Sequence, residues 1–278
     1  MPGKMKKKIW VVLSLIGPGL FLIGYNIGTG SVTTMAKAGA EYGMTLFWAV
    51  VLSCLFTYIL MVAYGQLTLI SGKTALLNIK TEIKGGKWLA IYILVALVIG
   101  ELLALVGIMG IMADLVQEGI RIFTNGVIVD KAWIIMVFAI LMYILLWLGK
   151  YSTFEKALTI MVIIMALCFI SVLFMVKPSF SSIAEGMIPA IPDTPGAFGL
   201  VAAMAGTTCS AAVFIMRSTV LAEKGWTIKN LKNEKWDAFV AAFMMLLLSG
   251  IIMAVAAGTL HVMGLKLNNT VDMIGLFE

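Results

Sequence analysis

Two short runs of small and polar residues interrupt otherwise apolar segments: "GTGS" at 28–31 and "GTTCS" at 206–210. Glycine, serine and threonine in a row weaken a helix and leave backbone groups without partners. Within a bilayer such a break survives only where protein or a water-lined cavity shelters it. The chemistry on offer is that of hydroxyls, backbone carbonyls and exposed amides. Gly28, Thr29, Gly30, Ser31, Thr207, Thr208, Cys209 and Ser210 therefore form the candidate substrate-binding set, flanked by Tyr25 and Asn26. Paired interruptions in two halves of a chain are the best sequence pointer to a transporter's substrate site. Close helix packing through small residues is the plainer explanation of either run taken alone.

One carboxylate lies deep in an apolar run, Glu101 in "LVIGELLALVG". An ionisable group there is costly and is expected to face the bundle interior. It is the candidate proton acceptor or coupling group. Arg217, near the end of the sixth apolar segment, either lines a pathway or snorkels to the interface. The lone histidine, His261, and the dispersed cysteines Cys54, Cys168 and Cys209 offer no metal-ligand spacing. Asp114, Glu118 and Arg121 follow the third segment at helical spacing and are expected to form an exposed face.

The elements that must carry these residues are membrane helices. The 278 residues are 62% hydrophobic and 12% charged. That charge fraction is about half what soluble domains carry. Apolar runs near 20 residues recur along the whole chain, each long enough to cross a bilayer. The expected spans are 9–40 (broken near 28–31), 45–70, 88–112, 132–149, 153–176, 196–221 (weak near 206–211) and 236–263. With the basic N-terminus inside, all but five of the 20 Lys and Arg (Lys37, Arg121, Lys131, Lys177 and Lys266) fall on the cytoplasmic side. That bias supports both span count and orientation. The net charge of +6 thus marks topology and not nucleic-acid binding. No nucleotide-binding loop, HExxH or Ser/His/Asp constellation is found, so an enzyme is not expected. The closing "VDMIGLFE" starts like the approach to another helix, as in a truncation of a longer protein.

Several longer motifs carry a family resemblance. "GPG" (17–19), "AGAEYG" (38–43) followed by "LFW" (46–48), "ISGKTALLNI" (70–79), Glu101 and "GMIPAIPDTPGAF" (186–198) resemble the Nramp metal-ion transporters, colinearly over most of the chain. The resemblance implies an all-α integral membrane bundle of the LeuT-like, inverted-repeat kind with broken helices one and six. Residues 1–177 would then be the first five-helix repeat, and 178–278 the incomplete start of the second, within one transmembrane domain. No ATP-hydrolysing module is found in the sequence, so transport is expected to be secondary-active or passive, with no cofactor other than a proton or another coupling ion.

The family's metal-binding positions fall here on Gly28, Ser31 and Ser210, and a further family histidine on Arg217. The acidic positions one and two turns beyond Glu101 are Ile108 and Ile111. The expected function is movement of a divalent-type cation through a carboxylate-free site by alternating access in the cell membrane. An organic or anionic solute such as an amino acid, received at the "GTGS" amides, is the alternative. A non-transporting membrane sensor on the same scaffold is the second.

Overall fold

The computed structural model describes residues 29–124, 126–148, 151–176, 180–267 and 272. Most of the first expected span, with Tyr25, Asn26 and Gly28, lies outside these. Ten α-helices are described: α1 (Thr29–Tyr42), α2 (Phe47–Ser71), α3 (Ala75–Glu82), α4 (Gly86–Phe123), α5 (Lys131–Leu148), α6 (Tyr151–Val176), α7 (Phe180–Glu185), α8 (Ala197–Thr208), α9 (Ala211–Glu223) and α10 (Leu231–Ala256). A 3₁₀ turn, Ile228–Asn230, precedes α10, and a π turn, Ala257–His261, follows it. No strand occurs among the described residues.

Four segments are long and apolar enough to cross a membrane: α2, α4, α8 with α9, and Ile228–His261. Shorter apolar stretches run through α5 and α6. The expected all-α membrane bundle is therefore what forms. The third span is longer than expected, because the Asp114–Arg121 stretch continues the helix to Phe123. At 1.5 Å per residue its 38 residues reach ~57 Å, well beyond a ~30 Å hydrocarbon core. Its end carries the ion pairs Arg121–Glu118 (3.0 Å) and Lys131–Asp114 (2.5 Å); Arg121 is exposed as expected, whereas Asp114 and Glu118 are half-buried.

The core sits where α10 packs on α1 and α2, with α9 against α2. Met35, Ala36 and Ala38 of α1, Val50 and Met61 of α2, Val213 of α9, and Met245, Ile252 and Met253 of α10 are buried there. Small residues set the approach, as they do between membrane helices generally. At Gly39 a Cβ would lie 2.3 Å from the Met253 carbonyl oxygen, so "AGAEYG" is the surface on which α10 lies. His261 closes the same contact, its Nδ1 3.0 Å from the Ala40 carbonyl at the end of α1. The lone histidine is thus tied to a helix end.

The other motifs are joints as well. Trp48 donates its backbone N–H to the Gly186 carbonyl (2.7 Å) and its indole N–H to Ala190 (3.0 Å). "LFW" thereby holds the "GMIPAIPDTPGAF" segment that leads into α8. In "ISGKTALLNI", Gly72 adopts a left-handed conformation (φ 67°) that ends α2. The Ser71 hydroxyl then accepts from the Lys73 N–H (3.1 Å) and the Asn78 amide (2.8 Å), turning the chain into α3.

Candidate substrate site

The sixth span breaks as expected, but over only two residues. α8 runs through Gly206, Thr207 and Thr208; Cys209 (φ −102°, ψ 58°) and Ser210 (φ −84°, ψ 137°) leave the helix, and α9 starts at Ala211. The Ser210 hydroxyl accepts from the Ala212 N–H (3.3 Å), capping α9. A broken helix leaves the last carbonyls of one half and the first amides of the other without intrahelical partners. Those of α8 are met from two other helices. Ser31 on α1 points its hydroxyl at the Thr207 carbonyl (3.5 Å), and Thr57 on α2 donates to the Thr208 carbonyl (3.1 Å). Ser31, Thr57 and Thr208 are all buried.

The two sequence interruptions are therefore brought together, Ser31 against Thr207. In the first, however, Thr29, Gly30 and Ser31 already lie in the opening turn of α1, so the expected unwinding over 28–31 is not seen at 29–31. The carbonyl end of α8, a partial negative pole, thus abuts the first described turn of α1. Thr57 was missed in the sequence. Its signal is the Ser53–Thr57 pair one turn apart in the apolar α2, whose hydroxyls bond back to Ala49 (2.6 Å) and Ser53 (2.8 Å).

Glu101 requires a correction. Its side chain is not enclosed in the bundle interior but exposed, on the wall of a groove of about 410 Å³. Leu97, Leu102 and Leu105 of α4 form one side; Ala212, Ile215 and Met216 of α9 form the other. The reason is that α4 packs mainly on α3 and α5, so most of its surface faces outward. The carboxylate nevertheless stands beside the first turns of α9, immediately past the break.

Arg217 does not snorkel. It is fully buried, paired through Nη1 with Asp237 and through Nη2 with Glu234 Oε1 (3.2 Å) and the Glu234 carbonyl (3.1 Å). Glu234 in turn fills the notch at Gly65 of α2, where a Cβ would lie 2.2 Å from Oε1. The next residue, Ser218, accepts from the Thr68 hydroxyl (2.8 Å) and from the Ala75 N–H (2.6 Å). The end of α9 is thus fastened to α2, α3 and α10. The acids of this cluster could have been suspected from "EKWD", whose Glu234 and Asp237 share a face one turn apart at the start of the seventh span. Among the described residues, no group of three or more His, Cys, Asp or Glu is placed to hold a metal ion.

A helical membrane bundle whose sixth span is broken opposite the start of α1 has the form of a broken-helix transporter. The family model described as "Natural resistance-associated macrophage protein-like", Nramp, matches residues 19–277, and the chain belongs to that family. It is similar to the divalent metal cation transporter MntH of Pectobacterium carotovorum subsp. carotovorum (strain PC1), 26% identical over 91% of this chain and 60% of that protein. It is also similar to the metal transporter Nramp1 of Oryza sativa subsp. japonica, 24% identical over 88% of this chain and 47% of the relative. Its fold matches the crystal structure of the Eremococcus coleocola manganese transporter in complex with an aromatic bis-isothiourea substituted compound. There the TM-score is 0.68 at 14% identity, over 90% of this chain and 53% of that one. The chain thus spans about half the length of the relatives it matches.

Proposed function

We propose that the chain forms the substrate path of a secondary-active transporter that moves a divalent-type cation by alternating access. The observation that carries this is the meeting of the broken sixth span with the first described turn of α1. The α8 carbonyl end, with Thr207 and Thr208, abuts Ser31 of α1 and Thr57 of α2 in a chain of the Nramp family. Gly28, Thr29, Gly30, Ser31, Thr207, Thr208, Cys209 and Ser210 would supply carbonyl and hydroxyl oxygens, with Tyr25 and Asn26 alongside. A site made of neutral oxygens suits a hard cation that keeps part of its water shell better than a soft metal stripped of it.

Glu101 is the proton-coupling group in this proposal, and Arg217, sealed in its triad with Glu234 and Asp237, anchors the far end of α9 beside the pathway. The chain divides near residue 177, after α6, into a first five-helix repeat and the start of a second. It lies in the cell membrane with its N-terminus on the cytoplasmic side, where the positive-inside bias puts it.

Uptake into proteoliposomes tests the proposal, comparing Mn²⁺, Mg²⁺ and small amino and carboxylic acids with and without a proton gradient. Saturable, gradient-dependent uptake of a divalent cation is expected, with Glu101→Gln abolishing the pH dependence. Uptake of an acid with no cation flux would favour the reading in which the α1 amides receive an anion. No uptake of any of these would favour a sensor.

A further inference from the structure

Between spans two and three lies a second polar feature that the transport path does not use. α3 lies against the start of α4, and Gly86 lets them close tightly, since a Cβ there would sit 1.9 Å from the Ile79 carbonyl oxygen. The two helices enclose an open groove of about 440 Å³. Leu77 of α3 and Ile91 and Leu94 of α4 give it an apolar floor, while Lys80 and Lys87 stand at its rim. The nearby acid, Glu82, is committed elsewhere. Its Oε1 lies 2.8 Å from the Lys73 ammonium, and that cation with the Thr81 hydroxyl holds the Glu82 carboxyl below its ordinary range. Lys80 and Lys87 enter no ion pair among the described residues.

The depth of the groove in the membrane is marked independently. Trp88 and Tyr92, in the first turns of α4, are 75% and 71% exposed. Amphipathic rings of this kind sit at the headgroup level of a bilayer. An apolar trough at that depth with two cations at its rim matches a phospholipid chemically, acyl chain along Leu77, Ile91 and Leu94, phosphate between the lysines.

We propose that the α3–α4 groove is a binding site for one anionic phospholipid of the adjoining leaflet, held through Lys80 and Lys87. A basic pocket between membrane helices is a known form of lipid recognition, in which each lysine near the surface favours an anionic headgroup severalfold. The site is separate from the helix break, and lipid binding there does not depend on which substrate is carried.

Native mass spectrometry of the full chain, released from micelles doped equally with phosphatidylglycerol and phosphatidylcholine, tests it. The expected result is one phosphatidylglycerol retained at collision energies that strip phosphatidylcholine. In K80Q/K87Q the phosphatidylglycerol-bound fraction should fall about tenfold or more. The control K229Q/K232Q, which removes two exposed lysines elsewhere, should leave it unchanged. The proposal is overturned if phosphatidylcholine is retained equally, if K80Q/K87Q keeps the preference, or if the control loses it as strongly. Inorganic phosphate at millimolar concentration displacing the bound lipid would equally overturn it, since that outcome leaves the acyl floor without a role.

Discussion

The α10 half of the molecule and the α4 half follow opposite rules although their sequences are equally apolar. In the span that contains α10, 61% of the most apolar window is buried by protein; in α4 the figure is 6%. Their mean hydropathies are close, 2.6 and 2.7. Hydrophobicity put both in the membrane but did not decide which would be packed. What differs is the placement of small and polar residues. α10 lies on the Gly39 surface and brings Glu234 and Asp237 to Arg217, while a Cβ at Gly100, Gly107 or Gly110 of α4 would meet nothing within 4 Å among the described residues. Between membrane helices, close backbone approach and polar contacts drive association where the hydrophobic effect does not. The same small residues work as joints in one half and, among the described residues, meet no neighbour in the other.

Substitutions can break this contrast in graded steps, read by unfolding in mixed micelles. Arg217→Met should have the largest effect, about 3–5 kcal/mol, because it leaves the Glu234 and Asp237 carboxylates buried without a cation. Adding Glu234→Gln and Asp237→Asn to it should restore most of the loss; if it does not, the triad is not what couples α9 to α10. Gly39→Val should cost about 1–3 kcal/mol by forcing α1 off the Met253 backbone. Ser218→Ala, which removes the acceptor for Thr68 and the Ala75 N–H, should cost about 0.6–1.7 kcal/mol. Leu103→Ala on α4, where the side chain is 69% exposed, should stay within about 0.5 kcal/mol. A Leu103 effect as large as that of Gly39 would show that α4 is covered by protein in the membrane.

Much of this was legible beforehand. The apolar runs located α2, α5, α6, the α8–α9 pair and α10 to within several residues, because a bilayer imposes length and composition directly. The interruption in span six was visible as "GTTCS", since Gly, Ser and Thr are poor helix residues in an apolar run. Its width was not: Thr207 and Thr208 stay helical because Ser31 and Thr57 approach the carbonyls at the helix end, and those partners lie 176 and 151 residues away. The short helices α3 and α7 were hidden in loops, where no membrane thickness sets a length.

The charged residues divide the same way. Glu101 and Arg217 stood out by sequence because an ionisable group inside an apolar run is expensive. Their surroundings were another matter, an open groove for one and a sealed triad for the other. By itself the sequence determined the membrane class, the broken sixth span and the family, since each follows from local composition, spacing or colinear motifs. Only the tertiary structure decided that Ser31 would meet Thr207, that Arg217 would be enclosed, and that Glu101 would be exposed. Those outcomes depend on which helix faces approach one another, and on hydrogen bonds between residues far apart in the chain.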